Sequence, residues 1–160
     1  MLHTALDMVM LSHGFLTTFA LMTAAGFIGL LVFSNGQRRG AINTLKVLAL
    51  ITTIFVFALN LTGAYGYLSY RLPEPDSPKM IIMEAFPVAH EILFETMEYL
   101  SLAGPIWATM ITWLTWHFKE QIFTNIMLKR TMLVLIVLAV IYALVIAYTG
   151  VVPTRIVAVR

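Results

Sequence analysis

The chain has 160 residues, 60% of them hydrophobic and only 11% charged, where soluble domains carry roughly a quarter charged residues. That composition argues against a water-soluble globular domain and points to a bilayer as solvent. Ten Lys and Arg against eight Asp and Glu leave a formal charge of +2, too small and too dispersed for nucleic acid. The absence of cysteine excludes disulfides, iron–sulfur clusters, c-type haem attachment and thiolate zinc sites.

Four stretches lack charged residues once His13 is counted as neutral: 8–37, 47–70, 99–116 and 131–154. Each meets the length of about 18–20 apolar residues that a membrane helix needs. Backbone groups in lipid must be satisfied within the chain, so these spans are read as helices. The expectation is an all-α, integral membrane four-helix bundle, one transmembrane domain over 1–160, with helices at about 9–34, 44–70, 86–118 and 129–151. The first helix does not read as a cleavable signal, because Asp7 precedes it and the first cation is Arg38.

Orientation follows from the connections. Arg38, Arg39 and Lys46 join helices 1 and 2, and Lys119, Lys129 and Arg130 join helices 3 and 4 against the single acid Glu120. The loop from Arg71 to Lys79 is mixed and Pro-rich. The positive-inside rule puts the two basic connections in the cytoplasm, and both termini and the mixed loop outside. Arg155 and Arg160 pull mildly the other way. A multi-pass protein of a prokaryotic cytoplasmic membrane is the expected setting.

Ionisable groups in membrane segments are expensive and mark function. His3, Asp7 and His13 precede or enter helix 1, while Glu84, His90, Glu91, Glu95 and Glu98 crowd the start of helix 3. Helices 1 and 3 run parallel in an up-down bundle, so both groups belong at the outer face. At about 100° per residue from His90, Glu98, Glu91, Glu84 and Glu95 fall near 80°, 100°, 120° and 140°. That is one narrow carboxylate stripe, and a buried stripe would need a cation or shared protons. A solvated stripe is simply the wet side of a helix end.

Below His90 the helix presents Phe94, Met97, Ser101, Gly104 and Ala108; below His13 it presents Thr17, Ala20, Ala24 and Phe27. Such small-residue strips let helices approach closely, or leave room for a flat macrocycle. His13 and His90 then become candidate axial ligands of one haem b. Arg38 follows His13 by 25 residues and Lys119 follows His90 by 29, a depth mismatch of roughly 6 Å that tilt or a kink at Pro105 would absorb. The competing reading keeps His13 as an interfacial histidine and His90 as a hydrogen-bonded neighbour of the acids. A non-haem metal would draw on His13, His90, Glu91, Glu95, Glu98, Asp7 and His3 as mixed N/O ligands. A third use of Glu91, Glu95 and Glu98 is proton transfer to a quinone or a neighbouring subunit. Nothing ionisable lies between Glu98 and His117, so the row cannot form a complete proton channel.

His117, the tryptophans 107, 113 and 116, and the tyrosines 65, 67, 70 and 99 read as interface and packing residues. The ten methionines read as adaptable packing. Asn60-Leu-Thr62 matches a glycosylation sequon but falls inside helix 2.

The four-span layout, with His13 in Leu11-Ser-His-Gly14 and His90 in Ala89-His-Glu91, loosely resembles small four-helix b-type membrane cytochromes and small subunits of respiratory complexes. Many such cytochromes hold two haems through four histidines; this chain offers one pair. The resemblance implies a haem-b electron-transfer subunit of a larger membrane redox complex, with no catalysis of its own and a partner subunit or quinone beside it. The alternatives are a cofactor-free structural or accessory subunit, within a hetero- or homo-oligomer, and a metal-site subunit of a membrane oxidoreductase.

Overall fold

The computed structural model describes residues 2–34, 39–73 and 77–158, with side chains described for 8–34, 40–73 and 77–150. Every regular element among them is helical: α1 (Leu2–Phe33), α2 (Arg39–Tyr70), α3 (Pro78–Ala85), a π-helical turn (Ala89–Phe94), α4 (Glu95–Ser101), α5 (Ala103–Phe118), α6 (Gln121–Thr124) and α7 (Ile126–Ala158). Among the described residues, three stretches are long and apolar enough to cross a membrane: Met8–Phe33, Gly40–Tyr70 and Ile126–Gly150. They match the spans expected at 9–34, 44–70 and 129–151, with helices that start earlier. For α7 the reason is Asn125, whose Oδ1 accepts from the backbone of Met127 at 3.0 Å and Leu128 at 3.2 Å. That is an N-cap, and it starts the helix before the first cation. Arg38 and Arg160, and the side chains of His3, Asp7, Arg39 and Arg155, lie outside the described residues.

The third expected span, 86–118, is not one helix. Ser77 caps α3 by accepting from Met80 N, with Pro78 in the first turn. Pro87 then forces Phe86 out of helical geometry, to φ −156° and ψ 78°, and ends α3. The chain restarts as the π turn, runs on as α4, and breaks again between Ser101 and Ala103. The longest unbroken piece is α5, 16 residues or about 24 Å, less than a hydrocarbon core of roughly 30 Å.

The second break has a local cause. Pro105 lacks an N–H, so the Ser101 carbonyl loses its helical donor. Asn60 of α2 supplies one: its Nδ2 donates to Ser101 O at 3.1 Å. The neighbouring Leu100 carbonyl accepts from the Tyr142 hydroxyl of α7. Helix breaks in an apolar medium persist where neighbouring helices satisfy the freed groups, and two flanking helices do so here.

α1 and α2 pair antiparallel, with His13 against Thr62, Thr23 bonded to Thr52 at 2.8 Å, and Gly26 against Leu48. α5 and α7 complete the packing, and the core divides into two parts. Toward the Lys119 end lie Phe27, Leu31, Leu45, Ile111, Ile122 and Met132 among other buried apolar residues. Toward the Arg71 end lie Tyr70, Ile82, Ala89 and Phe94, with Tyr67, Leu93 and Met97 packed against them. Between the two, Thr53 bonds to Thr112 at 2.7 Å and to Ala108 O at 3.1 Å.

Candidate functional site

At the Arg71 end, His90, Glu95 and Glu98 converge on Tyr67, Tyr70 and Arg71. Tyr70, on the last turn of α2, is buried, and its hydroxyl lies 2.8 Å from His90 Nδ1. The π turn that carries His90 lies against α7 and α3. Its extra residue per turn rotates everything after it relative to an α-helix. His90 and Phe94 are both buried, and the Phe94 ring stacks on Tyr70 with centroids 3.9 Å apart. One turn back on α2, the Tyr67 hydroxyl donates to Glu98.

Arg71 completes this cluster. Its Nη2 donates to Glu98 Oε2 at 3.2 Å and lies 3.9 Å from Glu95 Oε1. Its guanidinium also covers the Tyr67 ring at 4.9 Å. One cation therefore holds two carboxylates and an aromatic face. The side chains of the ion pairs are 35–44% exposed, so water screens the charges and the geometry matters more than the Coulomb attraction.

The four-carboxylate stripe does not survive. It assumed an unbroken α-helix from Glu84 to Glu98. The break at Phe86 puts Glu84 on α3, and the π turn changes the register before Glu95. Glu95 and Glu98 share Arg71, while Glu84 and Glu91 are exposed. His3 and Asp7 fall on α1 with side chains outside the described residues. Among the described residues, no three His, Asp or Glu side chains gather as a metal-ligand group.

His13 stands elsewhere. Its Nδ1 lies 2.9 Å from Thr62 Oγ1, and a Cβ on Gly63 would approach its Cε1 to 3.3 Å. Glycine at 63 thus lets the imidazole lie against the α2 backbone. Both histidines lean on α2 through Nδ1, at positions eight residues apart, or about 12 Å along the helix axis at 1.5 Å per residue. A bis-histidine haem needs both Nε2 atoms on one iron, at one level. The α2 residues that hold the two imidazoles, Thr62 and Tyr70, stand about two turns apart.

The small-residue strips are occupied as well. Gly104 faces Val56 and Asn60 of α2, and the Ala108 carbonyl accepts from Thr53. On α1, Ala20, Ala24 and Phe27 are buried. Met97 packs where a Cβ on Gly150 of α7 would come within 3.0 Å of its sulfur. Close helix approach is what small residues accomplish here.

At the Lys119 end, His117 stacks on Trp113 with centroids 4.9 Å apart, and Lys46 covers Trp116 at 5.4 Å. Sequence reasoning missed two polar groups that matter, Asn60 and Tyr142. An Asn and a Tyr inside apolar runs were signals, but a Pro four residues after Ser101 was the only hint of what they serve. No protein-family model, curated protein or solved structure matches the chain.

Proposed function

We propose that the chain is a structural or accessory subunit of a membrane complex, or the unit of a homo-oligomer, without a cofactor of its own. It crosses the bilayer four times, with both termini and the Pro-rich loop outward and the Lys119 end cytoplasmic; the broken third segment, 78–118, forms the fourth crossing. One observation carries the reading: two histidines and two of the glutamates are engaged with α2 or with Arg71 at its end. His13 meets Thr62, His90 meets Tyr70, and Glu95 and Glu98 meet Arg71. Polar side chains used this way fasten helices to one another in a medium that offers no hydrophobic drive for helix association. The chain's contribution to its complex is then a rigid, lipid-facing frame.

Purification in mild detergent tests this with three readouts. The expected result is migration as a species larger than the monomer, no α-band on dithionite reduction and no stoichiometric metal. A reduced α-band that disappears in both His13→Ala and His90→Ala would establish haem ligation instead. A strictly monomeric protein would remove the assembly role.

A further inference from the structure

The chain has six tyrosines, and three of them, Tyr65, Tyr99 and Tyr148, are exposed. The other three hydroxyls meet three different partners. Tyr142 donates to the Leu100 carbonyl, Tyr67 donates to the Glu98 carboxylate, and the Tyr70 hydroxyl lies 2.8 Å from His90 Nδ1. A carbonyl does not keep a proton. A carboxylate is a weaker base than an imidazole, and Glu98 also accepts from Arg71. Of the three, only Tyr70 is paired with a group that can take its proton and give it back.

Fastening needs a hydrogen bond and is indifferent to the basicity of the acceptor. The surroundings of Tyr70 add two features. Tyr70 is 6% exposed and His90 4%, so the phenol is kept from collisions with other phenols. It is also the inner member of a ring stack: Phe94 lies on it at 3.9 Å, and the Tyr67 ring is 6.1 Å from Tyr70 and 6.2 Å from Phe94. Arg71 covers Tyr67 at 4.9 Å and is exposed, so the stack reaches the surface. A phenol that loses an electron becomes a very strong acid. In a low-dielectric interior its oxidation therefore proceeds where a base already shares the hydroxyl proton.

We infer that the Tyr70–His90 pair is a site of reversible one-electron oxidation, its oxidant an outer-sphere metal oxidant at the Arg71 end. One electron leaves the Tyr70 ring for the metal, which is reduced by one. The Tyr70 O–H bond breaks as an N–H bond forms at His90 Nδ1, leaving a neutral phenoxyl radical beside an imidazolium. Return of the electron returns the proton. Neither the subunit role nor the orientation in the membrane enters this chemistry.

The test is illumination of the detergent-purified protein with ruthenium tris-bipyridine and persulfate, which generates the ruthenium(III) oxidant, followed by freezing and electron paramagnetic resonance. Tyr65→Phe, Tyr99→Phe and Tyr148→Phe together remove the exposed phenols beforehand. The expected result is a phenoxyl radical coupled to isotopically labelled histidine nitrogen. It forms more slowly in heavy water, is lost in Tyr70→Phe and is kept in Tyr67→Phe. His90→Gln, which offers the hydroxyl an acceptor but no base, abolishes it as well. A signal that survives Tyr70→Phe, a full signal in His90→Gln, a radical without histidine coupling, or no radical at all overturns the assignment. If His90→Gln or the triple background fails to fold, the histidine coupling in the unaltered protein decides alone.

Discussion

The two ends of the molecule hold their helices together by different means. At the Lys119 end, Phe27, Leu31, Leu45, Ile122 and Met132 are almost wholly buried, and the contact between helices is mainly dispersion between close-packed side chains. At the Arg71 end the contact is directional: Tyr67 and Arg71 to Glu98, Tyr70 to His90, with ring stacking between. The third segment is continuous where packing is apolar and broken where it is polar. Helices that already share dispersion need no polar device, whereas a chain interrupted by Pro87 and Pro105 has freed backbone groups and a weakened axis, and polar side chains fix its position.

That contrast can be broken at the apolar end first, where the largest effect is expected. Leu45→Ala should reduce unfolding stability by about 2–3 kcal/mol, toward the low side of core truncations because lipid is as apolar as the core and only packing is lost. Reversible unfolding in mixed micelles reads it, and the loss should not depend on salt. Arg71→Ala at the polar end should lose about 1 kcal/mol, since its pairs are partly exposed, and the difference from the parent should shrink in high salt. A salt-independent loss would mean that Arg71 acts through the Tyr67 ring rather than through the two acids.

Asn60→Leu should lose about 0.6–1.7 kcal/mol, the range of single polar contacts between membrane helices. The same substitution on a Pro105→Ala background should be nearly neutral, because an alanine in place of the proline restores a backbone donor to Ser101 O. Additive effects would show that Asn60 serves something other than the break. The smallest effect belongs to Thr53→Val, about 0.5 kcal/mol: Thr112 keeps a second acceptor, the Ala49 carbonyl at 3.0 Å.

The long helices were legible because lipid makes charge expensive, so uninterrupted apolar runs are a one-dimensional signal. Their ends were less so: an exposed helix end can continue past the last apolar residue, and Asn125 was an unread cap. The third segment was legible at Pro105 and missed at Pro87, whose effect falls on the residue before it. The π turn has no composition signature, and without it the wheel from Glu84 to Glu98 describes a face that does not exist. His13 and His90 were recognisable as costly residues. Their partners were not, because Thr62 and Tyr70 are chosen by the register of α2, which no single-helix pattern contains. Asn60 was read only as part of a sequon, because its use depends on a carbonyl 41 residues away.

His90 is the partner of the Tyr70 hydroxyl, 2.8 Å away. A double-mutant cycle on Tyr70→Phe and His90→Leu, read by unfolding in mixed micelles, isolates that contact. The expected coupling is about 1 kcal/mol, with the second substitution nearly free once the first is made. Effects that add to within about 0.3 kcal/mol would rule out that partnership and leave the His90 imidazole open to a ligand.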